Sequence, residues 1–299
     1  MNGPSITVLR HLDDIDNLRD SGRDGGLVPG QEDSARVIAE ELLERASHEG
    51  QLAIFFVSSD RLRTKQTVAL IADAISVLAH GKIRIRHAVL PDLAAMYQGE
   101  FVLPEDYAPG DFYEPLQSAT KAWVKETSGE CANMLYRFGD PVLLADGSWR
   151  HPELARHFDA YGENSQECLL RFYRLALAAC KDVRSLQRRT RIVVVTHAQL
   201  YQIFTSLSTV ALRIRSGELA FASAGKLPAY CWQLYRERWK LNGGDRPNFP
   251  ALHVPVNSLS GGGLARVLGD EIGFLQSIGV TKDHSDDPSN GIRPPSDHA

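Results

Sequence analysis

The chain has 299 residues, of which 43% are hydrophobic and 23% charged, with a formal net charge of -4. That length suits one large α/β domain with insertions, or two domains, and the mild acidity offers no global electrostatic case for binding nucleic acid or an anionic membrane. No apolar run approaches the roughly 18–20 residues that a membrane span requires, and the opening MNGPSITVLRH lacks a basic segment followed by a long apolar one, so a cytoplasmic protein is expected.

In chain order, ITVL (6–9) reads as a strand buried on both faces, because it is apolar without alternation. DSARVIAEELLERA (33–46) repeats apolar residues at helical spacing, with Asp33 or Ser34 able to cap it. LAIFFV (52–57) is a second buried strand, and TKQTVALIADAISVLAHG (64–81) a second helix that Gly81 can end. The stretch from about 102 to 160 breaks the rhythm and reads as an insertion, a lid over a site. SQECLLRFYRLALAACKDV (165–183) is a third amphipathic helix and RIVVV (191–195) a third buried strand. Residues 218–239 read as a helix or a hairpin, VNSLSGGG (256–263) as a loop, and LARVLGDEIGFLQSIGV (264–280) as a strand or helix closing the fold. The polar tail, 282–299, has the composition of a disordered segment and leaves 1–281 as a single domain. Strands alternating with helices predict an α/β fold with a mostly parallel sheet.

Four cysteines (Cys131, Cys168, Cys180, Cys231) show no C-x-x-C spacing and read as reduced, mostly buried thiols. The ten histidines show no H-x-x-x-H or H-E-x-x-H spacing, and no G-x-x-x-x-G-K-[ST] occurs, so neither a metal site nor a P-loop kinase or nucleotidase is expected, and no cofactor is called for.

Chemistry concentrates where the three strands end. Arg10-His11 follow the first, Ser58-Ser59-Asp60-Arg61-Leu62-Arg63 the second, and Thr196-His197 the third. Ligands of open α/β sheets bind outside the carboxyl ends of the strands. If these strands are neighbours, two histidines and two or three arginines converge on one pocket. Arginine forks match phosphate oxygens two at a time. A histidine nitrogen can attack phosphorus and carry the phosphoryl group. A second histidine can donate to the charge that develops on the oxygens. The grouping points to phosphoryl transfer without a metal, with Arg63 also at a helix start that favours an anion.

These stretches resemble the histidine phosphatase superfamily, the phosphoglycerate mutase-like clan. Its R-H-G-E-[ST]-x-x-N is similar to RHLDDIDN, matching Arg10, His11 and Asn17. GLVPGQEDSA (26–35) loosely echoes L-T-x-x-G-x-x-Q-A. S-S-x-L-x-R-A-x-Q-T-A is similar to SSDRLRTKQTV, matching Ser58, Ser59, Arg63, Gln66 and Thr67. YGENSQECLLRF (161–172) resembles the segment before the last helix, with Gly162, Glu163 and Arg171 in step, and VVTHAQL (194–200) resembles V-V-S-H-G-G and places His197.

The resemblance implies a three-layer α/β/α fold and a phosphohistidine intermediate on His11. It implies that Arg10, Arg63 and His197 bind the phosphoryl group, with Asn17, Ser58 and Glu163 on the substrate side. Arg61 stands where the family has an apolar residue and is read as a rim charge. The family's acid, the glutamate of L-x-E-x-x-x-G-E-[WF], has no direct counterpart in DLAAMYQGEF (92–101), where Ala95 holds its place. Asp92 is the first substitute and Glu100 the second; a good leaving group would need neither. Leu12 replaces the glycine beside the nucleophile, and Ala198 follows the second histidine, so the His-Asp pair of the acid phosphatase branch is absent.

The expected function is hydrolysis of a phosphomonoester without metal or cofactor. The alternatives are a weak or inactive phosphate-binding module of the same fold, or a phosphomutase. The expected partner is a small phosphorylated molecule, with a homodimer possible and neither nucleic acid nor membrane involved.

Overall fold

The computed structural model describes residues 5–14, 25–95, 100–101, 158–160, 165–182, 189–220, 223–231, 233–234, 251–259 and 262–280. Most of the insertion, Cys131, Asn17, Glu163 and the tail lie outside them.

The first half runs β1 (Ser5–Arg10), α1 (Glu32–His48), β2 (Ala53–Ser58), α2 (Leu62–Leu78) and β3 (Arg84–Val89), followed by a single 3-10 turn, Pro91–Leu93. Then come β4 (Glu100–Phe101), β5 (Phe158–Ala160), α3 (Ser165–Asp182), β6 (Thr190–Thr196), α4 (Ala198–Arg215), β7 (Leu252–Pro255), α5 (Val256–Leu259) and α6 (Gly262–Ser277). The main sheet has the order β3-β2-β6-β1-β7; β7 is antiparallel to β1 and the other pairs are parallel. The three apolar runs are therefore its three central strands.

Alternate residues of these strands feed two separate cores. Leu9, Ile54, Phe56, Val193 and Val195 face α1 and α2, packing with Ala39, Leu42, Ile71 and Ile75. Ile6, Val8, Val57 and Val194 face the other way, against Leu170, Phe172 and Tyr173 of α3, Leu200 and Leu207 of α4, and Leu264 and Leu268 of α6. A strand with apolar residues on both sides must be covered on both, so the fold is a three-layer α/β/α sandwich, as expected. No helix among the described residues is long and apolar enough to cross a membrane.

The insertion's two ends meet: β4 and β5 pair antiparallel, Glu100 opposite Ala160 and Phe101 opposite Phe158. The loop expected over 256–263 is corrected. Val256–Leu259 form a helical turn, and Gly262 and Gly263 open α6 rather than a flexible linker. A Cβ at Gly263 would lie 2.5 Å from Ile214 Cγ2, so the glycine lets α6 start in close contact with α4. Residues 264–280, left between strand and helix, are helical as far as Ser277. In the segment 218–239, residues 227–231 and 233–234 are helical. Cys168 and Cys231 are buried cysteines and Cys180 is partly buried. Burial pushes the Cys180 thiol up to about 11 and that of Cys231 higher still.

Candidate active site

β6 lies between β1 and β2, so the three strand ends singled out in the sequence sit side by side. Arg10 is in register with Thr196, and the His11 amide donates to the Thr196 carbonyl at 2.9 Å. This extends the β1–β6 ladder one residue past the strand and sets His11 beside His197. Their rings stand edge to face, with centroids 5.2 Å apart.

His11 is 7% exposed and its Nδ1 lies 2.7 Å from the Leu12 carbonyl oxygen. A carbonyl can only accept, so Nδ1 carries the hydrogen and Nε2 keeps its lone pair. Burial, the largest influence, lowers the His11 pKa from 6.5 to about 3; the Leu12 bond opposes the shift, and Arg63 and Arg10 add to it. The ring is a neutral base at neutral pH. Leu12, bulky where the family pattern has glycine, packs its side chain into the core between the sheet and α1–α2. Its amide donates to Thr67 Oγ1 at 3.0 Å, and that hydroxyl donates to the Arg63 carbonyl at 2.8 Å. One threonine thus joins the loop after β1 to the first turn of α2.

His197, 2% exposed, is the residue before α4. Its Nε2 lies 3.0 Å from Ser59 Oγ, and Arg63 Nε donates to its Nδ1 at 3.4 Å. Arg63 Nε also lies 3.5 Å from Asp14 Oδ2, and Asp14 Oδ1 lies 4.0 Å from His11 Nδ1. Arg10 reaches Asp13 at 4.0 Å. His11, His197, Arg63 and Arg10 are thus gathered at one edge of the sheet.

Ser58 is placed differently from its neighbour. Its hydroxyl is fully buried, donates to the Ser59 carbonyl at 2.9 Å and meets His87 Nε2 at 2.8 Å. Ser59, not Ser58, is the serine bonded to His197. Arg61 precedes α2 as its N-terminal flank and accepts through its carbonyl from Thr64.

Asp92 sits in the 3-10 turn after β3, and that turn is held from two sides. Arg171 Nη1, from α3, donates to the Asp92 carbonyl at 2.6 Å and to the Ala94 carbonyl at 3.1 Å. Thr196 Oγ1 donates to the Leu93 carbonyl at 2.8 Å. The strand that carries His197 therefore also fixes the loop that carries Asp92.

Two participants went unread in the sequence. Asp14 lies in the D-D pair after His11, with nothing in the spacing to aim it at Arg63. Thr64 stands where the family pattern has alanine, and that mismatch was the available signal. Among the described residues, no group of three or more His, Cys, Asp or Glu is arranged to hold a metal ion.

No protein-family profile and no curated protein matches the chain. Among solved structures, one described as mycobacterial hydrolase 1 aligns over 76% of this chain and 83% of its own, at 17% identity and a TM-score of 0.41. A mycobacterial glucosyl-3-phosphoglycerate phosphatase aligns over 76% of this chain and 84% of its own, at 18% identity and a TM-score of 0.39. These likenesses are loose. The class of this chain rests on its own topology: an α/β sandwich whose paired histidines and arginines meet at the carboxyl edge of a parallel sheet.

Proposed function

We propose that the chain is a phosphatase of the histidine phosphatase type, hydrolysing a phosphomonoester through a phosphohistidine on His11 without a metal. The observation that carries this reading is the His11 ring. Its Nδ1 hydrogen is committed to the Leu12 carbonyl at 2.7 Å, and its centroid is 5.2 Å from that of His197. That leaves Nε2 as a free base beside a second imidazole and Arg63.

In the proposed reaction, the Nε2 lone pair attacks phosphorus and the bond to the leaving oxygen breaks. Asp92 gives that oxygen its proton. Water then attacks the phosphoryl group, passes a proton to the Asp92 carboxylate and releases Nε2. Arg10, Arg63 and His197 hold the equatorial oxygens, where fixed cations and donors stabilise developing charge without reorganising. Asn17, Ser58 and Glu163 remain substrate-side residues of this proposal, and Glu100 is the alternative acid.

A second reading, a weak or inactive phosphate-binding module, is favoured by one contact: Asp14 Oδ2 lies 3.5 Å from Arg63 Nε. A phosphoryl oxygen arriving at Arg63 meets that carboxylate as a competitor. One experiment separates the two readings. The purified protein is assayed in EDTA with an aryl phosphate and a panel of phosphomonoesters, beside His11→Ala. The phosphatase reading expects turnover that persists in EDTA, disappears in the variant and passes through an acid-labile phosphoprotein. No turnover, with inorganic phosphate still raising the melting temperature, would establish the binding module instead.

A further inference from the structure

Ser59 and Thr64 form a chain of hydroxyls behind His197, and its direction can be worked out. Thr64 Oγ1 lies 2.7 Å from the Arg61 carbonyl, 3.1 Å from the Ser59 carbonyl and 2.8 Å from Ser59 Oγ. The shortest of these is an ordinary O–H···O length, and a carbonyl only accepts. The single Thr64 hydroxyl hydrogen therefore goes to Arg61. Thr64 Oγ1 then has only lone pairs left for Ser59, so Ser59 must donate to it. Having spent its hydrogen, Ser59 Oγ can only accept from its other neighbours. It does so twice: from the Arg61 amide at 3.4 Å, and from His197 Nε2 at 3.0 Å.

The opposite polarity would have Ser59 donating to His197 and Thr64 donating to Ser59. It leaves the 2.7 Å contact between Thr64 Oγ1 and the Arg61 carbonyl without a hydrogen. It also places a hydrogen on Nδ1, the nitrogen to which Arg63 Nε already donates. Both Ser59 and Thr64 are fully buried, so water does not offer either hydroxyl another partner.

We infer that Thr64 is a positioning residue that acts through Ser59 to hold His197 in the Nε2–H tautomer, with Nδ1 as the acceptor of the Arg63 Nε hydrogen. This inference rests on the phosphatase reading only for its catalytic consequence, because the tautomer is a property of the resting protein. When a phosphoryl dianion arrives, Nδ1 can take a proton from solvent as Arg63 Nε–H turns to the anion, and the ring then donates from Nδ1 while Nε2–H stays satisfied by Ser59. The anion meets a cationic donor. If Ser59 were free to turn its hydrogen toward Nε2, the ring would be locked as a neutral Nδ1–H donor and would compete with Arg63 Nε–H. Stabilisation of developing charge would weaken, and the loss would fall on kcat more than on KM.

The test is nitrogen-15 NMR of the histidine rings in wild type, Thr64→Val and Thr64→Ser, with His197 assigned by its own substitution. Valine keeps the branched shape and removes the hydroxyl; serine keeps the hydroxyl. The expected result is Nε2–H at His197 in wild type and Thr64→Ser, and a population of at least about a third Nδ1–H in Thr64→Val. Thr64→Ala is the substitute should the valine variant not fold, with the same expectation. An unchanged Nε2–H tautomer without the Thr64 hydroxyl, or an Nδ1–H tautomer in wild type, overturns the inference. If the protein turns over phosphomonoesters, kcat should drop about tenfold or more in Thr64→Val and recover in Thr64→Ser. If no variant, wild type included, turns over, the phosphatase reading fails while the ring spectra still decide the inference.

Discussion

Burial keeps the His11 imidazole neutral well below the ordinary histidine range, and that burial is costly in acid. In the unfolded chain its imidazole takes a proton below about pH 6.5; in the folded protein, with a pKa of about 3, it does not. Between these limits the unfolded state binds more protons. Stability is therefore flat above about pH 6.5 and falls by about 1.4 kcal/mol per pH unit below it, from this residue alone. Two outcomes are expected. The His11 ring shows no titration between about pH 8 and pH 5 by NMR, and His11→Ala loses about 2 kcal/mol less stability than wild type between about pH 7 and pH 5 in urea unfolding. A ring that titrates near its ordinary value would mean that the site is open to water and His11 is not held neutral. The arginines near His11 disfavour its protonated form, and that much is legible in the sequence. It could not show that burial outweighs them, because burial depends on β1 and β6 lying side by side. Nor could it show that Leu12 packs against the core between the sheet and α1–α2, since a leucine next to His11 is compatible with either direction.

At the scale of elements, legibility followed exposure. The three central strands are sandwiched between helices and read as unbroken apolar runs. The edge strands do not: β3 alternates charge in RIRHAV with Arg84, Arg86 and His87 exposed, and β7 is four residues ending in proline. Charge on an edge strand discourages pairing with another chain, and it also hides the strand from a hydropathy reading. Helix α4 was obscured by its hydroxyls. Thr205 and Ser208 are buried, yet they donate to the Tyr201 and Thr205 carbonyls of their own helix, so they sit in the core without outside partners. In the proposed reaction the acid is carried by the 3-10 turn Pro91–Leu93. Arg171 supplies it with two hydrogen bonds and also lies over the Phe172 ring at 4.6 Å. Arg171→Met keeps much of the stem and removes the donors. If Asp92 protonates the leaving group, the variant should lose at least about tenfold more turnover on alkyl phosphates than on an aryl phosphate, whose leaving oxygen needs little help. Equal losses on both would remove Asp92 from that role and leave Arg171 as a structural clamp.

Across the whole molecule, the two ends of the sheet carry different burdens. The carboxyl end gathers the site; the amino end is closed by a charged network around Arg191, whose side chain is fully buried at the start of β6. Arg191 pairs with Glu49 at 2.8 Å, donates from Nε to Gln51 at 2.9 Å, and donates from Nη1 to Thr7 at 2.9 Å. Thr7 meets His253 of β7, whose other ring nitrogen reaches Glu41 of α1 at 2.9 Å. Five segments, β1, α1, the α1–β2 connection, β6 and β7, are thus tied at one point. Nothing in RIVVV announced this, because a lone arginine before an apolar run reads as a solvated strand end. Only the neighbouring strands show that it is enclosed. Desolvation lowers the Arg191 pKa and Glu49 opposes the change, so the carboxylate compensates the buried guanidinium charge. Removing one member of a buried pair leaves the other uncompensated and typically costs about 3–5 kcal/mol. Glu49→Ala is expected to lose stability in that range in urea unfolding, while its folded fraction binds inorganic phosphate as wild type does, because the network lies at the far end of the strands from His11. A loss below about 1 kcal/mol would class the contact with ordinary surface pairs. A loss of phosphate binding in the folded fraction would instead show that the sheet transmits strain from one end to the other, and that stability and function here are not separable.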